Sequence, residues 1–93
     1  MSDSANRRPA LIESILREHF APSELQVIDE GHLHVGHAGA RDGRGHFRVI
    51  MVSEGFVGLA PLARHRAVYA ALGSLMESDI HALALSLKAP NEV

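Results

Sequence analysis

The sequence predicts a mixed α/β (α+β) domain, a three-stranded sheet with helices packed on one face, in the order α-β-β-α-β. Three observations carry this. Two segments repeat apolar residues at helical spacing, and each follows a proline, Pro9 and Pro61. Three others alternate with a period of two or carry β-branched apolar residues. The third is Ile80 to Leu87, where large side chains (His81, Leu83, Leu85, Leu87) alternate with small ones (Ala82, Ala84, Ser86). One large face suits a sheet covered on one side and left nearer to solvent on the other.

Pro9 suits the first turn of a helix, where a missing N–H costs nothing. Leu11, Ile12, Ile15, Leu16 and His19 or Phe20 follow, with Glu13, Arg17 and Glu18 turned outward, and Pro22 ends the run. The first helix is expected over about residues 9–20, preceded by a flexible tail over 1–8 that is short, polar and aperiodic. Leu25 to Asp29 is a short strand. Gly31 to Gly45 then holds five glycines and three histidines without apolar periodicity. It reads as a loop, long enough in so small a domain to suggest a functional role. His46 to Ser53 is the clearest strand, with Phe47, Val49 and Met51 on one face and Arg48, Ile50 and Val52 on the other. After a bend over Gly55 to Ala60, Pro61 opens a second helix with a stripe through Leu62, His65, Val68 or Tyr69, Leu72, and Leu75 or Met76. Ser78 and Asp79 interrupt it before the third strand, and 89–93 is a short C-terminal tail.

The 93 residues have room for one domain. A hydrophobic fraction of 46% and a charged fraction of 22% suit a globular chain and are too apolar for a disordered one. The formal net charge of -2 lacks the basic excess with which nucleic-acid binders neutralise phosphates. The absence of cysteine excludes disulfides, thiolate metal sites and a cysteine nucleophile. No apolar run nears the ~18 residues of a membrane span, and Met1 to Pro9 lacks the apolar stretch of a secretory signal. A soluble cytoplasmic protein without membrane contact is the expectation. The chain has no Gly-x-Ser-x-Gly elbow, no phosphate-cradling Gly-Lys-Ser/Thr and no His-Glu-x-x-His, so no enzymatic activity is expected.

The stretch Val52-Ser53-Glu54-Gly55-Phe56-Val57-Gly58, followed by Pro61-Leu62-Ala63-Arg64-His65-Arg66, resembles the signature region of the BolA family. Asp29-Glu30, His46-Phe47-Arg48-Val49 and Ile80-His81-Ala82-Leu83 match its other recurrent pieces in order, so the resemblance covers roughly residues 10–88 within a BolA-like domain over 9–88. It implies a fold similar to the class II KH domain. It also implies complexes with monothiol glutaredoxins of the Cys-Gly-Phe-Ser type, in which a [2Fe–2S] cluster shared with the partner and glutathione bridges the proteins. No cofactor is expected for the isolated chain, which would be a monomer or weak homodimer. The alternative function is a DNA-binding transcriptional regulator of stress response and cell morphology.

Candidate residues follow. Read by alternation, His81 lies on the large-residue face at the start of the third strand, and by itself suits a hydrogen bond capping the core edge. The resemblance makes it a metal ligand, with His34 as the second and His37, His32 and His46 ranked behind. Imidazole binds iron, zinc, copper and nickel alike, so histidine content does not select the metal. Two imidazoles on one iron resemble the Rieske arrangement in ligand count. Arg64, Arg66 and Lys88 are candidate contacts for nucleic acid or a protein partner, with both arginines expected to be exposed. His65, Phe56 and Gly58 are read as structural. Gly55-Phe56-Val57-Gly58 superficially matches the GxxG loop of KH domains, but its flanks carry no Lys or Arg before Arg64, and a tight turn explains both glycines.

Overall fold

The computed structural model describes residues 2–31 and 45–93, with side chains from Arg7 onward. Helix α1 (Ser2–Phe20) leads to strands β1 (Glu24–Asp29) and β2 (Gly45–Val52), helices α2 (Pro61–Leu72) and α3 (Leu75–Ser78), and strand β3 (Ile80–Lys88). The sheet order is β1-β2-β3, antiparallel between β1 and β2 and parallel between β2 and β3. A parallel neighbour needs a crossover, and α2 with α3 supplies it. The expected α-β-β-α-β order stands, with α3 as a short addition.

The interior of the sheet follows its period of two. Val27 pairs with Val49 and Leu25 with Met51, while Phe47, Val49 and Met51 pair with Leu83, Leu85 and Leu87. Phe47, Val49 and Met51 are buried against Ile12 and Leu16 of α1 and Val68 and Leu72 of α2, whereas Arg48 and Ile50 face outward. Both helices therefore cover one face.

Two helix boundaries differ from expectation. Helix α1 begins at Ser2, so residues 2–8 are helical and Pro9 lies inside the helix. Its ring removes one N–H rung without ending the run. Arg8 reaches Asp79 at 3.0 Å, linking α1 to the end of α3. Helix α2 stops at Leu72 because Gly73, at φ 56°, adopts a conformation that L residues rarely take. The expected loop over 31–45 lies largely outside the described residues. Among the described residues no helix is long and apolar enough to cross a membrane.

Ser53 joins the ends of two elements. Its hydroxyl donates to the Phe20 carbonyl at 2.7 Å and accepts from the Gly55 N–H at 3.0 Å. This seats Phe56, fully buried, with its ring 5.3 Å from that of Phe20. Gly58, at φ 80°, completes the turn into α2.

Truncating Leu16, which has no exposed surface, removes transfer energy and leaves a cavity, so Leu16→Ala is expected to cost about 2–5 kcal/mol in urea unfolding. Leu62, 61% exposed, is the control, and Leu62→Ala should change stability by less than about 0.5 kcal/mol.

Candidate metal centre

The β2–β3 ladder runs in register from His46 opposite Ala82 to Val52 opposite Lys88, but Gly45 pairs with Ile80. One extra residue, His81, is thus accommodated on β3. Such an insertion inverts the alternation behind it and re-aims a side chain. Ile80 consequently turns into the core at 1% exposure. His81 turns out to solvent, its ring 5.0 Å from that of His46 and tilted by 53°. His81 therefore does not share the face of Leu83, Leu85 and Leu87, because the period of two that places those leucines breaks at the register shift. Gly45 permits the start of β2 there, since a Cβ would lie 2.6 Å from the Phe47 ring.

His46 is 8% exposed, and its backbone carbonyl accepts from the Glu30 N–H at 2.8 Å. The Glu30 carboxylate is engaged by Arg48 Nε at 2.8 Å. A shallow depression lined by Glu30, His46, Arg48, Ala82 and Ala84 opens beside the histidine. The two ring centres lie close together, and both ring nitrogens of His46 are buried. Among the described residues no group of three or more His, Asp or Glu side chains gathers as a metal cage. His32, His34 and His37 lie outside the described residues. The structure thus joins His81 to the lowest-ranked candidate, His46. Its signal in the sequence was position, immediately before the clearest strand.

The arginines separate. Arg64 is 8% exposed, with its guanidinium carbon 5.9 Å from the Phe56 ring centre. Nε donates to the Leu59 carbonyl at 2.9 Å, and Nη1 to the Leu87 carbonyl at 3.2 Å. Nη1 and Nη2 grip the Glu92 carboxylate at 2.6 and 2.8 Å. The expectation of an exposed Arg64, available to phosphates or a partner, is therefore corrected. The buried stripe of α2 is Arg64, Val68 and Leu72, while Leu62 and Tyr69 are exposed and His65 is half-buried. The stripe is hard to read because alanines at 63, 67, 70 and 71 give little contrast between faces. Residues 89–93, expected to be a tail, dock instead: Ala89 is buried, and Pro90–Glu92 forms a 3-10 turn whose Glu92 also accepts from the Ala89 N–H. Arg66 and Lys88 remain exposed.

One three-stranded sheet, helices on a single face and an imidazole pair at one end of the ladder define a small α+β module. The sequence model for the BolA-like protein family matches residues 16–92, and the chain belongs to the BolA family. It is 45% identical over 83 residues to an uncharacterised protein in the cobS 5' region of Sinorhizobium sp., covering 87% of this chain and 89% of the relative. It is 42% identical over 74 residues to the DNA-binding transcriptional regulator BolA of Escherichia coli, covering 80% and 68% respectively. Among solved structures, the BolA domain of SufE1 from Arabidopsis thaliana superposes with a TM-score of 0.83 at 36% identity, over 92% of this chain and 95% of that one. Some curated relatives are longer: the chain spans 59% of Protein BOLA1, chloroplastic, from Arabidopsis thaliana.

The hydrogen bonds from Arg64, and then from the Ala89 N–H, lower the Glu92 carboxyl from 4.5 to about 2. A carboxylate favoured by folding stabilises fully above its unfolded pKa and ceases to do so as pH falls through its folded one. This contribution is therefore complete above pH 4.5 and lost towards pH 2. Glu92→Gln is expected to lower the urea midpoint at pH 7 and to flatten its decline between those limits, measured by urea unfolding at pH 7 and pH 3.

Proposed function

We propose that the chain is a non-catalytic adaptor that docks on a monothiol glutaredoxin and lends imidazole ligation to a [2Fe–2S] cluster held between the two proteins, in iron–sulfur trafficking or iron and stress regulation. The observation that carries this reading is His81, exposed near the start of edge strand β3 and set beside a second imidazole. Membership of the BolA family supports it. So does the absence of cysteine, since a partner and glutathione would bring the thiolates. His81 is one ligand in this reading, and the family resemblance makes His34 the other. Imidazole ligation in place of thiolate raises the potential of such a cluster. This chain's own contribution is to present an imidazole at a fixed place. The strand is a firmer base for that than a loop.

A second reading, a DNA-binding transcriptional regulator, is favoured by the name of the Escherichia coli relative. It would use Arg66 and Lys88, because Arg64 is engaged by Glu92. Its expected signature is duplex binding that weakens with salt, with a slope shallower by about one in Arg66→Ala. Undetectable binding at low salt would remove it.

The adaptor reading is tested by visible circular dichroism of the cluster-loaded mixture with a monothiol glutaredoxin and glutathione. His81→Ala is expected to change the spectrum of the heterocomplex. An unchanged spectrum would overturn the ligand assignment.

A further inference from the structure

We infer that the open edge of β3 pairs with the same edge of a second copy of this chain. The two strands run antiparallel about a two-fold axis through Leu85, and two three-stranded sheets join into one of six. The pairing uses residues 82–88 alone. It needs no metal and no glutaredoxin, so it stands independently of the adaptor reading.

The sheet order β1-β2-β3 leaves two outer edges, and they are guarded differently. β1 has six residues, follows Pro22 and carries Glu24 and Asp29 at its ends. Shortness, proline and charge are the usual protections of an exposed edge. β3 has nine residues, and between His81 and Lys88 it holds no charge, proline or glycine. Its register with β2 is regular from Ala82 to Lys88. The Lys88 carbonyl accepts from the Ser53 N–H, at the end of β2. Ala82, Ala84, Ser86 and Lys88 therefore turn their backbone groups to β2, and Leu83, Leu85 and Leu87 turn theirs to the open side. Arg64 agrees with this direction, donating to the Leu87 carbonyl from outside the ladder. Among the described residues no backbone bond beyond the ladder reaches these three leucines.

The edge is complementary to itself. With Leu85 opposite Leu85 of the second copy, Leu83 meets Leu87, Ala84 meets Ser86, and Ala82 meets Lys88. Large side chains then face large ones on the helix side, and small face small on the other. The leucines are only half-buried in the single chain, so pairing covers apolar surface that the helices leave open. The two Lys88 side chains fall at opposite ends of the strip, about 20 Å apart at ~3.4 Å per residue. Like charges therefore do not meet. An edge paired with itself closes, whereas β3 against β1 of another copy would propagate. The strip is short, which places the dimer among weak contacts of less than about 1,200 Å².

The test uses the full chain in sedimentation velocity, where the coefficient is expected to climb from monomer toward dimer as the chain is concentrated. Ala84→Lys with Ser86→Lys changes only the face away from the helices and sets like charges opposite one another, so this variant should stay monomeric. Ala84→Glu with Ser86→Glu should do the same. A mixture of the two variants should dimerise again, which a folding defect in either would not allow. The register is read by cross-linking, since the chain has no cysteine of its own. When Ala84→Cys and Ser86→Cys chains are mixed and mildly oxidised, unlike chains should join several-fold more than like ones. Directly opposite residues lie within disulfide reach, and the diagonal of about 7–8 Å between like positions does not. A wild-type chain that stays monomeric at every concentration would overturn the inference. So would a dimer that survives the lysine substitutions, or equal cross-linking of like and unlike chains.

Discussion

A single displaced residue in the β2–β3 ladder governs both the core and the rim of this protein. With Gly45 opposite Ile80 and His46 opposite Ala82, the strand admits His81 as an extra residue and reverses the alternation on its N-terminal side. The reversal has two consequences. Ile80 points inward, where it joins Phe47 and Leu72 in the buried cluster. His81 points outward, beside His46. Without the shift the imidazole would face the helices and the isoleucine would face water, an arrangement unfavourable on both counts.

Around this point the module is tied by contacts between distant segments. Ser53 links the last turn of α1 to the end of β2. Arg8 links α1 to Asp79, directly before β3. At the other end of the sheet Arg64 gathers Leu59, Leu87 and Glu92. A buried guanidinium is costly unless its donors are satisfied, and here four hydrogen bonds satisfy it. The signature Arg-His-Arg of α2 therefore divides its roles. Arg64 is structural, and Arg66 is left on the surface.

How legible was this in the sequence? The interior of each strand was, because burial on one face imposes a period of two that Phe47, Val49, Met51, Leu83, Leu85 and Leu87 display. Pro61 and Pro22 marked helix limits for the same local reason. The register shift was not legible, since it arises from how two strands align and leaves no trace in either strand's own pattern. Alternation counted back from Leu83 therefore put His81 on the wrong face. Arg64 was misplaced for a related reason. Its partner Glu92 lies 28 residues away, and a charged residue is read as exposed until that partner is seen. Pro9 suits a helix start, yet helix α1 extends back to Ser2. The His34 assignment rests on family resemblance, and that residue lies outside the described structure.

The central claim is that the imidazoles of His46 and His81 face one another across adjacent strands. Nuclear Overhauser contacts between their ring protons in the metal-free protein would report this directly. Cross-peaks between the two rings, accompanied by contacts from Ile80 to the Phe47 and Leu72 side chains, are predicted. Contacts placing the His81 ring among the core side chains, with Ile80 exposed, would show a ladder without the shift and would contradict the account.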